Sequence, residues 1–340
     1  MRIATYNVEW FNSLFDDLGV PIEDDGPSGR AGVRRHEQLA ALGIVFTALD
    51  ADGILVTEAP DASARDGVRA LETFAAKYGL RARKAAIGFV SETQQEIAFL
   101  HDPDALSVHH DPRGEVASRR GGEGVPRFDG ILRIDLDIDA KPDIVRWSKP
   151  PLELELRSAG GFVCRMIGVH AKSKAPHGAR TPAAAMRRAI ENRRKQLAQG
   201  VWLRRRIDEH LEAGDPLIVL GDFNDGPGLD EYEKLFGRSS LEIVMGEDGE
   251  VQLHDPAARK AMLGLMGAAP TSARFWMPDE ERWMEALVDY IMVSPDLMAR
   301  RPRWRIWHPF DDPGCYRVPE LRDALLSASD HFPVTLDIEM

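Results

Sequence analysis

Residues 216–225 read Pro-Leu-Ile-Val-Leu-Gly-Asp-Phe-Asn-Asp, an apolar run that ends in an acid and an amide. A short apolar run of this kind is typical of a buried strand. Asp222 and Asn224 are two residues apart, so both side chains leave the chain on the same side, at the edge of a sheet. Taken alone, the pattern also fits an ordinary turn. It becomes a functional prediction only together with similar segments elsewhere in the chain.

Five further segments share this arrangement, in which a strand-like apolar run meets one or two polar groups. They are residues 3–10, 53–58, 166–174, 288–294 and 329–334. The polar groups that they carry are, in chain order, Asn7, Glu58, His170 with Lys172 and Lys174, Asp289, and Asp330 with His331. Polar groups at the ends of several strands act together only if those strands end at the same place. We therefore expect these side chains to converge on one pocket with Asp222 and Asn224.

Strand-like and helix-like segments alternate along the chain, which predicts an α/β protein. Apolar residues at helical spacing form two stripes, one at Leu39, Leu42, Phe46 and Leu49 and the other at Val68, Leu71, Phe74 and Tyr78. Residues 95–100, 131–138, 152–156 and 162–169 have the pattern of strands, and residues 182–211 form the longest helical segment. The alternation indicates sheets with one face covered by helices.

The composition predicts one large domain covering residues 1–340. The chain has 44% hydrophobic residues, enough for a large core, and no linker rich in Gly, Ser or Pro divides it.

The two cysteines, Cys164 and Cys315, are too few for a disulfide framework and lack the spacing of a zinc site. A reducing, cytoplasmic location is therefore the simplest inference. No uninterrupted apolar run is long enough to cross a membrane.

The net charge of −12 would normally oppose binding to a polyanion, but the charge is unevenly distributed. Residues 165–206 contain twelve basic residues and one acid, Glu191. The basic residues are Arg165, Lys172, Lys174, Arg180, Arg187, Arg188, Arg193, Arg194, Lys195, Arg204, Arg205 and Arg206. We interpret residues 204–206 as a solvated helix face. Lys172 and Lys174 directly follow a predicted strand end, and for them we predict contact with phosphate.

In this order, the segments resemble the signature series of the endonuclease/exonuclease/phosphatase superfamily, the divalent-metal phosphoesterases related to pancreatic deoxyribonuclease. The resemblance spans nearly the whole chain. It implies two packed β-sheets flanked by helices, a four-layer α/β sandwich of the α+β type, with the site at one rim between the sheets. The strands and helices counted above are compatible with that architecture.

The resemblance also implies a metal site and a water-activating group. Glu58 would be the principal metal ligand, assisted by Asn7 and Asp330. Asp222 would orient or deprotonate the attacking water, and Asn224 would bind a phosphate oxygen. Carboxylate and amide oxygens suit Mg²⁺ or Mn²⁺, whereas thiolates and clustered histidines would suit zinc. The expected cofactor is therefore Mg²⁺ or Mn²⁺.

Two histidines complete the implied catalytic set. His331 would contact the phosphate and act as acid or base, with Asp289 accepting its other N–H. His170 would stabilise the transition state or protonate the leaving group. Lys172 and Lys174 would contact the phosphate beside it.

The sequence departs from common patterns of the superfamily at a few positions, and these departures indicate which of its branches the chain resembles. Thr57 stands where many relatives have Gln before the metal-binding glutamate, which leaves one supporting contact in question. Residues 285–288 read Glu-Ala-Leu-Val and lack the Trp-Arg or Cys-Asp-Arg leader of abasic-site endonucleases and inositol phosphatases. Residues 170–174 resemble the His-x-Lys-Ser-Lys of bacterial nucleases in the superfamily. This favours a nuclease.

Three functions remain open at this point. The first is a metal-dependent nuclease or related phosphodiesterase, a hydrolase whose partner is nucleic acid. The second is a hydrolase of a small or lipid phosphoester, which the acidic total charge suits about as well. The third is a catalytically idle binding protein, which the full set of polar groups disfavours.

The tryptophans of the C-terminal part are interpreted as core or rim residues rather than as a platform for stacking bases; they are Trp276, Trp283, Trp304 and Trp307. The oligomeric state cannot be read from the chain.

Overall fold

A computed structural model describes residues 1–115, 124–134, 143–175, 178, 181–229, 236–264, 269–277 and 280–340. Its strands are β1 (Arg2–Asn7), β2 (Gly53–Ala59), β3 (Lys84–Ile87), β4 (Glu96–His101), β5 (Leu106–His110), β6 (Leu132–Ile134), β7 (Asp143–Val145), β8 (Leu152–Ser158), β9 (Val163–His170), β10 (Leu217–Asp222), β11 (Ala273–Met277), β12 (Arg282–Ala286), β13 (Asp289–Val293), β14 (Arg303–Ile306) and β15 (Val334–Asp337). Its helices are α1 (Arg35–Leu49), α2 (Gly67–Tyr78), α3 (Pro182–Glu212), α4 (Ser240–Met245), α5 (Pro256–Met262), α6 (Pro313–Tyr316) and α7 (Pro319–Ala328), with 3-10 helices at Phe11–Leu14 and Pro295–Arg300. In this part of the chain, no helix has both the length and the apolar composition needed to cross a bilayer.

Two mixed sheets form the centre of the molecule. The first has the strand order β14-β15-β1-β2-β4-β3, and the second has the order β13-β10-β9-β8-β5. Strands β1 and β2 are parallel, whereas β15 runs antiparallel to β1. The second sheet repeats this arrangement, because β9 and β10 are parallel and β13 runs antiparallel to β10. In both sheets, the end of a central strand therefore meets the beginning of its antiparallel neighbour.

The sheets pack face to face, and helices cover their outer faces. Side chains such as Leu55 of the first sheet and Met166 of the second share the buried layer between the sheets. Helices α1, α2 and α7 bury their apolar faces against the first sheet. Helix α3 packs on the second sheet, where Trp202 belongs to the same buried cluster as Val219. The predicted four-layer sandwich, with two packed sheets flanked by helices, is confirmed.

The predicted segments correspond closely to the observed elements. Both apolar stripes lie on helices, α1 and α2, and α2 ends at Gly79, whose φ of +63° is in the left-handed region that glycine adopts without steric cost. The strand predicted at 131–138 begins with β6, while residues 135–138 lie outside the described residues. The prediction of one domain is supported by the first sheet, which combines β1 with β14 and β15. It stays a prediction.

The interpretation of residues 204–206 as a solvated helix face is wrong for two of the three arginines. Arg204 and Arg206 are buried, and only Arg205 is exposed. Arg204 pairs with Asp208 at 2.7 Å. Periodicity gives a helix but cannot identify distant partners, and the partners decide whether a charge can be buried.

Arg193, Arg204 and Arg206 are called the buried arginines of α3 below, and each contacts at least one carboxylate. Arg206 contacts Glu153 of β8 at 3.2 Å. Much of the positive charge on this helix is therefore balanced inside the protein. Arg180, another member of the basic run, lies outside the described residues.

The pairing of strands brings the predicted polar groups to one rim. In the second sheet, Asp222 at the end of β10 lies opposite both His170, which ends β9, and Asp289, which begins β13. In the first sheet, Asn7 ends β1, and Asp330 lies just before β15, the antiparallel neighbour of β1. Both sheets thus contribute polar groups at the same edge of the sandwich.

Candidate active site

Asp222 lies at the centre of a buried hydrogen-bond network. Its Oδ2 accepts hydrogen bonds from the Nδ2 atoms of Asn7, at 2.9 Å, and Asn224, at 3.0 Å. Its Oδ1 accepts a hydrogen bond from the backbone N–H of Asn224 at 2.8 Å. Burial raises the pKa of the Asp222 carboxyl; the charge of His331 opposes this rise, and the charge of Asp289 adds to it. The carboxylate is therefore fixed in orientation and more basic than an exposed aspartate.

Glu58 reaches the rim from an irregular position in β2. Its φ is +57°, in the left-handed region that is sterically unfavourable for a residue with a β carbon. The register between β2 and β4 also shifts between Thr57 and Ala59, as at a β-bulge. The Oε2 atom accepts a hydrogen bond from the backbone N–H of Trp10 at 2.8 Å. Burial raises the pKa of the Glu58 carboxyl despite that hydrogen bond and the nearby charge of Lys149. Backbone strain of this kind concentrates at functional positions.

Lys149 is a buried cation at the site that the sequence patterns did not reveal. Its Nζ lies 2.8 Å from Nε2 of His170, and that Nε2 lies 3.5 Å from Oδ2 of Asp222. Burial lowers the pKa of Lys149 to about 8, and the carboxylates of Glu58 and Asp222 limit the fall. Burial, Lys149 and His331 together lower the pKa of His170 well below its ordinary value. We therefore assign Lys149 as the donor to Nε2 of His170, which leaves the ring proton on Nδ1, a buried atom without a hydrogen-bond partner among the described residues.

His331 and Asp289 form a hydrogen-bonded pair. The Nδ1 atom of His331 donates to Oδ2 of Asp289 at 2.8 Å, and Oγ of Ser272 donates to the same oxygen at 2.9 Å. Burial lowers the pKa of His331, but the carboxylates of Asp289 and Asp222 outweigh burial and hold the pKa well above its ordinary value. The edge of the Phe275 ring packs on the imidazole with 5.4 Å between ring centroids. Asp289 thus fixes the orientation of the His331 ring, and the neighbouring carboxylates favour its protonated form.

Asp330 and Glu9 add two carboxylates on the other side of His331. Oδ1 of Asp330 lies 3.9 Å from Nε2 of His331. Burial raises the pKa of the Asp330 carboxyl, and the charge of Glu58 contributes to the rise. The backbone N–H of Asp330 donates to Oε2 of Glu9 at 3.1 Å, and Arg30 forms an ion pair with the same Glu9 oxygen. Arg30 therefore balances part of the negative charge here.

The two lysines that follow His170 have different surroundings. Nζ of Lys174 lies 2.5 Å from Oδ1 of Asp225, a fully buried carboxylate that Arg193 also contacts at 3.3 Å. Lys172 is half-buried, and burial together with the charge of Lys195 lowers its pKa. Contact between Lys172 and a phosphate is compatible with this geometry. Lys174 would have to leave Asp225 to make such a contact.

The amide of Asn224 is also engaged within the site. Its Nδ2 donates to Oδ2 of Asp222 at 3.0 Å and to the backbone oxygen of Ala171 at 3.2 Å. An amide nitrogen has two protons, so both are used. Its φ of +49° is in the left-handed region that asparagine tolerates better than most residues. The geometry therefore favours a role for Asn224 in positioning Asp222, and phosphate binding would require one of these bonds to break.

The oxygen atoms of the rim fit a hard divalent cation. Burial raises the pKa of the carboxyls of Glu58, Asp222 and Asp330, and neighbouring carboxylates add to the rise, while the cations Lys149, His331 and Arg30 oppose it. Oδ1 of Asn7 accepts the backbone N–H of Glu9 at 3.0 Å and keeps a second lone pair for a ligand bond. Both cysteines are free and buried elsewhere in the fold. This donor set suits Mg²⁺ or Mn²⁺ better than zinc.

A second grouping of ligand atoms is less suited to a metal. Asp222, Asp289 and His331 offer ligand atoms within 4.8 Å of one another. However, Nδ1 of His331 already donates to Asp289, and the neighbouring carboxylates raise the pKa of the ring, which favours a proton on Nε2 over a bond to a metal. The geometry of this trio is therefore better suited to proton transfer and phosphate contact than to metal binding.

The contacts connect nearly all of the side chains that the sequence predicted to converge. The set consists of Asn7, Glu58, His170, Asp222, Asn224, Asp289, Asp330 and His331, with Lys172 at its edge. Sequence reasoning missed Lys149, Glu9 and Arg30. The sequence offered one weak indication for Lys149. This lysine directly precedes Pro150-Pro151 and the predicted strand at residues 152–156. Thr57, which replaces the common Gln, is buried, and its Oγ1 has no hydrogen-bond partner within the described part of the chain.

Comparisons with known proteins agree with this architecture. A sequence model of the endonuclease/exonuclease/phosphatase family matches residues 4–331. No curated protein matches the chain significantly. The structure is similar to that of an AP endonuclease from Archaeoglobus fulgidus, with a TM-score of 0.52, 12% identity and 100% of both chains covered. Identities this low show a shared fold and nothing finer.

Two further solved structures share the fold. The 3′ phosphatase NExo from Neisseria, solved with a product DNA hairpin, gives a TM-score of 0.50 and 16% identity over 100% of both chains. TDP2 from Caenorhabditis elegans gives a TM-score of 0.50 and 14% identity over 98% of this chain and 73% of that chain. The family match begins in β1, covers the second sheet and every strand of the first sheet except β15, and ends at His331. The chain therefore belongs to the endonuclease/exonuclease/phosphatase family, a family of phosphoesterases.

Proposed function

We propose that this chain is a phosphodiesterase that depends on Mg²⁺ or Mn²⁺ and cleaves nucleic acid. The observation that carries the proposal is the gathering of both kinds of charge at one buried rim. The carboxylates of Glu58, Asp222 and Asp330 interact there with the cations Lys149 and His331. Phosphoester hydrolysis needs oxygen ligands for a metal, a base for water and cations for phosphate oxygens. This rim offers all three.

The metal would be held by Glu58 and Asp330, with Asn7 assisting. When bound, it supplies Lewis-acid polarisation of the phosphoryl group. Asp222 would orient the attacking water and accept its proton, because Asn7 and Asn224 fix both of its oxygens and burial raises its pKa. A carboxylate that is held rigid needs no reorientation as the bond to phosphorus forms.

The two histidines would then have different roles. His331, with its proton on Nε2, would donate to a phosphate oxygen or to the leaving oxygen while Asp289 holds the ring. Nε2 of His170 accepts a hydrogen bond from the Lys149 ammonium. That atom therefore has no proton to donate to a leaving group. Of the two roles expected for His170, the contacts favour transition-state stabilisation, in which it holds Lys149 against a phosphate oxygen.

The choice of nucleic acid rests on the basic residues that remain exposed. Arg187, Arg188 and Lys195 are exposed on the first half of α3, the helix that follows Lys172 in the chain. A row of cations beside a site is suited to the backbone of a polyanion. The buried arginines of α3 contribute nothing to such a row, since carboxylates balance them. For that reason, a small or lipid phosphoester is the second candidate.

One experiment tests the metal and the substrate together. We expect Mg²⁺ or Mn²⁺ to support cleavage of single-stranded DNA or RNA, a chelator to abolish it, and zinc alone not to restore it. The Michaelis constant for the polynucleotide should rise steeply with salt, because phosphate contacts release counterions. The Michaelis constant for bis-p-nitrophenyl phosphate, a small diester, should depend on salt only weakly. Full activity in excess chelator after metal removal would contradict the metal assignment. Efficient turnover of the small diester alone would favour the second candidate.

Lys149 gives a separate test of the phosphate contacts. Lys149→Met removes the charge while keeping an unbranched chain, and kcat/KM for the small diester should fall about ten- to a hundredfold, as expected for one charged hydrogen bond. Lys149→Arg should retain part of the activity. Activity that needs a charged Lys149 should also decline as pH rises through its pKa of about 8. Lys84→Met, on the edge strand β3, is the matched control and should behave as the wild type.

A further inference from the structure

The hairpin formed by β11 and β12 presents two exposed tryptophans. Trp276 is 48% exposed and Trp283 is 45% exposed. They lie opposite each other in the ladder, with 5.3 Å between ring centroids and 63° between ring planes. Two large rings side by side in water are unusual on a surface without a partner, and indole faces are favoured contact surfaces. By contrast, Trp307 is buried, as expected for a core residue.

The other contacts of this hairpin fix it to the active site. Phe275 packs its ring edge against His331, and Ala273 forms an isolated bridge with the backbone of His331. The backbone N–H of Arg274 donates to the backbone oxygen of Asp330 at 2.7 Å. The hairpin is thus attached directly to two residues of the site. Because neighbouring side chains alternate between the faces of a strand, Trp276 and Trp283 lie on the face opposite Phe275. That face reaches the site through Trp283, which lines a cleft together with Asp330.

Arg274 supplies a charged group beside the two rings. Its guanidinium lies 4.4 Å from the ring centroid of Trp283 and 5.1 Å from that of Phe310. Its Nε forms an ion pair with Oε1 of Glu285 at 3.5 Å, although the contact does not have hydrogen-bond geometry within the described residues. Aromatic faces hold a guanidinium without using its N–H donors, so among the described groups a phosphate that bound Arg274 would compete only with Glu285.

A cleft of about 210 Å³ joins this arginine to the active site. Its lining includes Arg30, Arg274, Trp283, Asp330 and Phe332. Asp330 is also one of the residues that we assign to the metal, so the cleft and the metal site share a wall. A cleft with two guanidinium groups, an indole and a phenyl ring matches the chemistry of a nucleotide, which has an anionic phosphate and a flat base.

We propose that this cleft and the Trp276–Trp283 pair bind the nucleotide next to the scissile phosphate, with its phosphate on Arg274 and its base stacked on the exposed indoles. The inference rests on the proposed nucleic-acid function and narrows it to substrates with unpaired bases. A base within a duplex has both faces covered by its neighbours, so it cannot stack on protein without leaving the helix. Glu280 and Glu281 are exposed at the hairpin tip and oppose contact with an anionic bilayer.

The test compares three substrates on the same preparations of enzyme with Mg²⁺. They are a single-stranded oligonucleotide, its duplex, and bis-p-nitrophenyl phosphate. For Trp276→Ala and Trp283→Ala, we expect kcat/KM on the single strand to fall between about fivefold and about a hundredfold, mainly through KM. Hydrolysis of the small diester should stay within about twofold of the wild type, because it does not reach the hairpin. The wild type should prefer the single strand to the duplex.

Met298→Ala is the matched control. Met298 is 42% exposed on the 3-10 helix Pro295–Arg300, which follows Ser294, and Ser294 pairs with Leu217 at the end of β10 away from Asp222. This variant should cleave all three substrates at the rates of the wild type. Equal losses on the oligonucleotide and the small diester in the tryptophan variants would mean that the hairpin only supports His331, and would overturn the subsite.

The remaining outcomes separate the subsite from the proposed function. If the wild type cleaves oligonucleotides and the tryptophan variants do so equally well, the subsite is wrong and the nuclease stands. If the wild type cleaves the small diester but neither binds nor cleaves an oligonucleotide, both the nuclease and the subsite are wrong. Loss of binding to phosphatidylserine vesicles in Trp276→Ala, with oligonucleotide cleavage unchanged, would assign the hairpin to membranes and overturn the inference.

Discussion

Replacing Asp222 with asparagine is expected to lower the turnover of any phosphodiester substrate at least about a hundredfold while the protein stays folded. Asparagine has nearly the same shape, and its oxygen can still accept from the side chains of Asn7 and Asn224, while its NH₂ group cannot accept the backbone N–H of Asn224. The larger loss is the negative charge that orients water and accepts its proton. The effect should appear in kcat, measured with bis-p-nitrophenyl phosphate and Mg²⁺, and circular dichroism should remain that of the wild type.

Asp255 provides a matched control for this substitution. It is also a buried aspartate that accepts backbone N–H groups, those of Ala257, Ala258 and Ile291. It caps α5 and has no place in the rim network. Asp255→Asn should therefore lower thermal stability and leave kcat of the folded enzyme close to the wild-type value. Near-native turnover in Asp222→Asn would remove Asp222 from the catalytic assignment.

The second large effect is expected for Asp289→Asn. Oδ2 of Asp289 accepts Nδ1–H of His331, and asparagine removes the negative charge that raises the pKa of the ring. Where the asparagine NH₂ group faced the ring, Nδ1 would also have to give up its proton. The same change in a Ser-His-Asp triad lowers kcat about ten-thousandfold. Here we expect a loss of at least about a hundredfold in kcat, with KM for the small diester little changed.

Ser272→Ala distinguishes charge from packing in this pair. Oγ of Ser272 donates to the same Asp289 oxygen at 2.9 Å, so the variant removes one hydrogen bond but keeps the carboxylate and the tautomer of His331. We expect a loss of less than about tenfold in kcat together with lower thermal stability. If Ser272→Ala and Asp289→Asn lose activity equally, the charge of Asp289 has no special role.

The sequence was sufficient for the fold and for groups that directly follow apolar runs. Asp222 ends a strand of unbroken apolar residues, and His170 follows the apolar residues 166–169. Such runs are read easily because both of their faces are buried. Once parallel and antiparallel neighbours are paired, their ends must meet at one rim. The convergence of side chains more than 300 residues apart, such as Asn7 and His331, follows from this topology.

Other groups could not be predicted because their environment depends on distant residues. Lys149 lies in a connection before β8, without a strand end or helical period to mark it, and only the folded chain places it on His170. Arg206 appeared solvated because a run of three arginines is usually exposed. Its partner Glu153 is on β8, in a different layer of the sandwich. No local pattern in the chain encodes such a pairing.

The pairing of β1 with β15 has a consequence for how the protein is made. Asn7 is translated more than 300 residues before His331, and the first sheet has no complete centre until β15 is available. At synthesis rates of about 5–20 residues per second, roughly tens of seconds separate the two. Throughout that interval the nascent chain lacks Asp330 and His331. We therefore expect it to be inert beside its own messenger RNA until these two residues and β15 have joined the fold.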